Sequence, residues 1–222
     1  MNVTVYDSLV QGSPEWLDAR AGIITASTLG RLLTTTGKPS KGDTAKALVE
    51  ELAVQRATGR VVPITRTWPM RRGTELEPYA RDEYAMLTGS RVTQTGFMVA
   101  TLDSGAQVGY SPDGLIGDSG LLEIKCLSAG MHWRTILRGE VPSEHVAQVQ
   151  TGLFVSGRDW CDYFSYMPGD VPYTIRVTPN AKWQTTIRDV VEAVDQEIDE
   201  LAALYTENTR GIPVTPDFEI DY

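Results

Sequence analysis

Three side chains in the middle of the chain have the right types and spacing for metal-assisted chemistry on a phosphate ester. They are Asp113, in the run Ser111-Pro112-Asp113-Gly114, and Glu123 and Lys125, in Leu122-Glu123-Ile124-Lys125-Cys126. Side chains alternate faces along a strand, so Glu123 and Lys125 share one face while Leu122, Ile124 and Cys126 share the other, apolar one. A carboxylate and an ammonium on a strand this apolar are costly to bury unless they pair, bind a metal or line a cleft. The Pro-Asp-Gly turn can bring Asp113 to the same spot. Magnesium takes hard oxygen ligands, usually one or two carboxylates with water and phosphate. A metal held there polarises a phosphodiester and helps make hydroxide, and a lysine beside it steadies the growing charge. Alone, Pro-Asp-Gly is only a turn and Glu-x-Lys only a surface pair. Ten residues apart, around an apolar strand, they point together to phosphodiester hydrolysis, the chemistry of a nuclease.

These residues need a scaffold, and the spacing of apolar and turn residues outlines one. Ser13-Pro14-Glu15 is a helix start, with a capping serine and proline in the first turn. That helix is expected to reach about Arg20 and stop at Gly22. A short helix follows Thr25-Ala26-Ser27 and ends before the loop at 34–39. Asp43 caps a third, closed by Gly59, and 60–69 reads as loop. A long helix spans 70–87 with Gly89 as its stop, and Pro78 either kinks it or marks its true start. Strands are predicted at 92–100, 107–110 and 121–126, helices at 129–138 and 143–155, strands at 160–167 and 173–177, and a helix over 180–205. The order predicts an α/β fold: a central mixed sheet flanked by helices. With no convincing linker, 1–222 reads as a single nuclease domain. It comprises N-terminal helices (13–88), a sheet core (90–178), a C-terminal helix (180–206) and an acidic tail (207–222).

Composition sets bounds. The chain has 222 residues, 41% hydrophobic and 22% charged, as in ordinary globular proteins. No apolar run approaches the ~18 residues of a membrane helix, and the N-terminus has no signal-peptide pattern, so a cytoplasmic protein without a membrane partner is expected. Cys126 and Cys161 are the only cysteines and are expected to be reduced packing residues. A net charge of -9 argues against non-specific coating of nucleic acid. It does not exclude a local basic channel. Arg56, Arg60, Arg66, Arg71 and Arg72, with Lys38 and Lys41, form such a channel or are scattered solvated charge.

The Pro-Asp and Glu-x-Lys pieces resemble the PD-(D/E)xK nuclease superfamily, whose core is restriction-endonuclease-like. More narrowly, the chain is similar to the phage lambda exonuclease group, the YqaJ-like viral recombinases. Further segments match that group in order: Trp16-Leu17-Asp18-Ala19-Arg20-Ala21-Gly22-Ile23-Ile24-Thr25-Ala26-Ser27, Gly73-Thr74-Glu75-Leu76-Glu77-Pro78-Tyr79-Ala80 and Ala147-Gln148-Val149-Gln150. The resemblance implies that Asp113, Glu123 and the carbonyl of Ile124 hold Mg2+, with Mn2+ as a substitute, and that Lys125 is the catalytic lysine. Glu77 would reach the same site; read alone, it is an ion pair with Arg81 four residues on. Arg20, Thr25 and Ser27, with Ser111 and Gln148, would bind the 5′-phosphate of a DNA end. Arginine suits phosphate, and a helix N-terminus adds amides, although a cap and a surface arginine explain the same residues. Trp16 would stack by the terminal nucleotide; read alone it is a core residue. The group often has tyrosine where His145 stands, leaving that residue's phosphate contact open, and proline where Leu127 stands. His132 is expected to be structural or exposed.

The resemblance further implies a ring-shaped homotrimer threading double-stranded DNA, 5′–3′ digestion of one strand, and transfer of the remaining 3′ overhang to a single-strand annealing protein. The alternatives are an endonuclease or repair nuclease of the same fold, or a non-catalytic DNA-end-binding module. Nucleases of this fold with iron–sulfur clusters carry four cysteines, and this chain has two.

Overall fold

The computed structural model describes residues 1–34, 37–61 and 67–215. Residues 62–66 of the 60–69 loop, Arg66 among them, and the end of the acidic tail lie outside the described residues. Along the chain run β1 (Asn2–Tyr6), α1 (Pro14–Ala19), β2 (Ile24–Thr25) and α2 (Ala26–Leu29), the last continued by a 3-10 turn. Then come α3 (Asp43–Thr58), α4 (Trp68–Thr88), β3 (Val92–Thr93), β4 (Phe97–Thr101), β5 (Gln107–Tyr110), β6 (Gly114–Ile116) and β7 (Gly120–Cys126). The remainder is α5 (Ala129–Arg138), α6 (Ser143–Ser156), β8 (Trp160–Tyr166), β9 (Tyr173–Val177) and α7 (Ala181–Asn208). Among the described residues no helix is long and apolar enough to cross a membrane.

Mixed sheets flanked by helices give the expected fold class, but the one central sheet is two. The first has the order β1-β4-β5-β2 and the second β3-β6-β7-β8-β9. The predicted strand at 92–100 is divided between them: Val92–Thr93 pairs with β6, while Phe97–Thr101 pairs with β1 and β5. The break is caused by a contact distant in sequence. At Gly96 an added Cβ would lie 2.1 Å from the carbonyl oxygen of Leu9, so the chain passes hard against the backbone after β1. The hydroxyl of Thr95 donates to Asp7 (2.7 Å), pinning the bend. β1, β2 and β6 were not legible as strands; β2 and β6 are only two and three residues long.

Strand β7 sits in the middle of the second sheet, antiparallel to β6 and parallel to β8. The parallel pairing requires a crossover, and α5 and α6 supply it. Leu122 and Ile124 pack beneath α4 with Ala80, Tyr84 and Phe164, whereas Leu121 joins the larger core on the opposite face. Helix α4 starts at Trp68 and carries Pro78 in its interior, so Pro78 is not its start. Helix α3 packs along α7. Arg56 there donates to Asp195 (2.7 Å), Asp199 (2.6 Å) and the carbonyl of Gly22 (2.7 Å). Arg72 donates to the carbonyls of Cys126 and Leu127. Two of the five clustered arginines are therefore structural. Both cysteines are free thiols, Cys161 fully buried and Cys126 half-buried. His132 is fully buried, bonded to Ser165 (2.7 Å) and to the carbonyl of Val171 (3.0 Å).

Candidate active site

A cleft of about 510 Å³ brings together every residue singled out from the sequence: Trp16, Arg20, Thr25, Ser27, Glu77, Ser111, Asp113, Glu123, Ile124, Lys125, His145 and Gln148. Glu123 and Lys125 come from β7, Asp113 from the turn between β5 and β6, Glu77 from α4, and His145 and Gln148 from α6. Glu123 is 1% exposed and is satisfied by three donors. Lys125 Nζ (2.7 Å) and Gln148 Nε2 (2.6 Å) reach Oε1, and the Tyr110 hydroxyl (3.0 Å) reaches Oε2. The amide of Ile124 donates to Asp113 Oδ2 (2.6 Å), tying the turn to the strand.

Tyr110 was not among the expected site residues, and Arg81 was expected only as the ion-pair partner of Glu77. Tyr110 ends an apolar strand, and its buried hydroxyl needs an acceptor, which was the available signal. Arg81 pairs with Glu77, as its spacing suggested, and its Nε also donates to the carbonyl of Asp113 (2.8 Å). One side chain thus joins α4 to the Pro-Asp-Gly turn. Leu127 donates its amide to the carbonyl of Lys125 (3.0 Å) and so tightens the exit from β7.

The electrostatics are those of a site short of positive charge. Burial, with Glu123 and Glu77 adding, pushes the Asp113 carboxyl well above its ordinary range. Burial likewise raises Glu77, against the pull of Arg81. Burial alone would lower Lys125, but Glu123 and Asp113 outweigh it and hold the ammonium charged. Three carboxylates face the two cations Lys125 and Arg81. Among the described residues no three His, Cys, Asp or Glu side chains close round one point. A magnesium site does not need that, because water and substrate phosphate complete its shell. Two hard carboxylates, mutually repelling in a buried cleft, fit a divalent cation.

The second half of the cleft has the opposite character. Arg20 stacks on Trp16, 4.0 Å from the ring centroid, and donates to the hydroxyls of Ser111 (3.5 Å) and Thr25 (3.4 Å). Trp16 also donates to Ser111 (2.9 Å), and Ser27 lies 3.2 Å from the Thr25 hydroxyl. Helix α1 has no buried residue, so Trp16 belongs to the cleft wall and not to the core. Burial pushes Arg20 down to about 10, leaving it charged at neutral pH. Among the described residues it has no carboxylate partner. A desolvated, stacked guanidinium ringed by hydroxyls suits an anion. The Thr25 amide itself is taken by the Thr28 hydroxyl.

The packing behind the site yields a prediction. At Gly152, on α6, an added Cβ would meet the ring of Tyr110 at 2.7 Å. Gly152→Ala is expected to cost about 1–3 kcal/mol through overpacking. It should also slow any reaction at Glu123 by displacing the Tyr110 hydroxyl. Thermal melting and turnover, measured together, check this; a lowered melting temperature with unchanged turnover contradicts the second part.

Residues 15–159 match the YqaJ-like viral recombinase domain, a stretch that contains every residue named above from Trp16 to Gln148. The chain belongs to the YqaJ-like viral recombinase family. It is thereby part of the PD-(D/E)xK superfamily. Similar solved structures agree with the fold. LHK-Exo in complex with dAMP is 32% identical with a TM-score of 0.78, covering 90% of this chain and 100% of that one. The alkaline exonuclease LHK-Exo from Laribacter hongkongensis, in another structure, is 33% identical with a TM-score of 0.72, covering 88% and 100%. A phage-related exonuclease from Haemophilus somnus 129PT shares the fold at 15% identity, with a TM-score of 0.63 over 82% and 96% of the two chains. No match was found among curated proteins.

Proposed function

We propose that this YqaJ-like protein is a magnesium-dependent exonuclease that digests one strand of linear double-stranded DNA from the 5′ end. The observation that carries this reading is the shared cleft: a carboxylate pair suited to a divalent cation lies beside a desolvated arginine that has no carboxylate partner among the described residues. The first half fits phosphodiester cleavage and the second fits a terminal phosphate. Their proximity favours an end-dependent enzyme over an endonuclease of the same fold. The relatives are exonucleases, one of them in complex with dAMP.

In this reading Asp113, Glu123 and the Ile124 carbonyl hold Mg2+, with Mn2+ as a substitute, and Glu77 assists from α4. The bound ion would supply Lewis-acid polarisation of the phosphate and a nucleophilic water at neutral pH. Lys125, fixed by Glu123, orients that water and stabilises charge on the phosphoryl oxygens. Arg20, Thr25, Ser27 and Ser111 receive the 5′-phosphate, and Trp16 flanks the terminal nucleotide. Gln148 steadies Glu123, and His145 stands beside it. The product is a 3′ single-strand overhang for recombination by strand annealing, passed to an annealing protein in the cytoplasm of a bacterial host. A homotrimeric ring would let an acidic protein enclose DNA with its basic faces inward.

The test is a closed circular duplex beside its linearised form, in magnesium. Degradation of the linear form alone is expected. Cutting of the circle would make the protein an endonuclease, and inertness toward both would leave an end-binding module. Arg20→Ala is expected to lose the preference for 5′-phosphorylated over 5′-hydroxyl ends, worth about tenfold or more for a charge-assisted contact. Competition between the two ends checks it; a preserved preference would put the phosphate pocket elsewhere.

A further inference from the structure

His145 lies on α6 three residues before Gln148, and both line the cleft. Its Nδ1 is 2.7 Å from the hydroxyl of Tyr163, on β8 opposite Glu123. Tyr163 is fully buried, and among the described residues this is the one hydrogen bond of its hydroxyl. If the imidazole donated, the phenolic hydrogen would be left without an acceptor in the interior, at a cost of about 1–3 kcal/mol. Tyr163 therefore donates and Nδ1 accepts. Burial, with Glu123 adding, raises the phenol and keeps that hydrogen in place. Burial and then Lys125, against Glu144, push His145 down to about 4, so the ring is neutral. A neutral imidazole that accepts at Nδ1 must donate at Nε2.

Among the described residues the Nε2–H has no protein partner and no buried side-chain polar atom lacks one, so this group is accessible, on a side chain that lines the cleft. Its neighbour Glu123 is already satisfied by Tyr110, Lys125 and Gln148. Gln148, three residues along α6, reaches Glu123 Oε1, and Tyr163, the partner of His145, lies opposite Glu123 in the β7–β8 pairing. The donor therefore belongs to the cleavage half of the cleft.

We propose that Tyr163 is a positioning residue that fixes His145 as the Nε2–H tautomer, and that His145 donates this hydrogen to a non-bridging oxygen of the scissile phosphate. The donor role rests on the nuclease reading above; the tautomer does not. A neutral donor beside Lys125 strengthens as negative charge builds on the phosphoryl oxygens, so its effect falls on turnover more than on binding.

The test has two readouts on the full chain. Nitrogen-15 NMR of the imidazole at neutral pH, assigned with His145→Gln, is expected to find the proton on Nε2 in the unsubstituted protein and a mixture of tautomers in Tyr163→Phe. A proton on Nδ1 in the unsubstituted protein overturns the proposal without any variant having to fold. On linear duplex DNA with magnesium, His145→Ala is expected to lower kcat roughly 10–100-fold with KM held. Tyr163→Phe should lower kcat roughly tenfold. The double variant should be no slower than His145→Ala alone, because Tyr163 acts through His145. Additive losses, or a loss confined to KM, overturn the donor role. If the unsubstituted protein degrades no DNA, the nuclease reading and the donor role fail together, while the tautomer is still decided by the spectrum.

Discussion

Asp113→Asn is expected to abolish DNA degradation, by at least about a thousandfold, and to make the metal-free protein more stable. The asparagine oxygen can still accept from the amide of Ile124, so the turn keeps its tie to β7. What disappears is a carboxylate forced to share a buried cleft with Glu123 and Glu77. A carboxyl whose pKa is higher in the folded than in the unfolded chain contributes stability at low pH. That contribution is complete below the unfolded value of about 3.9 and is lost as pH rises through the folded value. At neutral pH in EDTA Asp113 therefore weakens the fold, and its neutral isostere does not. The melting temperature should rise by about 2–4 °C for each kcal/mol relieved. Magnesium should raise the melting temperature of the unsubstituted protein and have much less effect on Asp113→Asn. Thermal melts in EDTA and in magnesium measure both effects. A variant less stable in EDTA would contradict the view that this site is strained for want of a cation.

Lys125→Met is expected to lower turnover by about 10²–10³ while leaving DNA affinity nearly unchanged. The ammonium is kept charged by Glu123 and Asp113 and is held 2.7 Å from Glu123 Oε1. Its role is thus set for charge that appears only as the phosphoryl group is transferred. Tyr110 and Gln148 still hold Glu123 when the lysine is gone, so the strand geometry should survive. Single-turnover cleavage beside equilibrium binding of a 5′-phosphorylated duplex separates the two effects. Equal losses in rate and affinity would move Lys125 to a binding role.

The parts of this molecule that were legible in the sequence share a physical reason: a short-range pattern dictates them. Alternation along β7 places Glu123 and Lys125 on one face, and the fold keeps that face at the cleft. Ser13 caps α1 by accepting from the amide of Trp16, and Gly59 and Gly89 end α3 and α4 in the left-handed conformation their positions imply. The parts that escaped are set by contacts distant in sequence. The strand at 92–100 reads as continuous until the backbone of residues 6–9 crowds Gly96 and turns it into two strands of different sheets. Arg81 reads as the partner of Glu77, and only the approach of the β5–β6 turn gives it the carbonyl of Asp113. Tyr163 falls within the predicted strand at 160–167, and only α6 brings His145 to its hydroxyl.

The measurement that bears most directly on the central claim uses a linear duplex carrying a label at the 5′ end of one strand. The protein is added in magnesium and, in parallel, in EDTA. The account predicts early release of labelled mononucleotide from the 5′-phosphorylated end in magnesium only, with the complementary strand left as a 3′ overhang. Release that persists in EDTA, or that begins at the 3′ end, would contradict it.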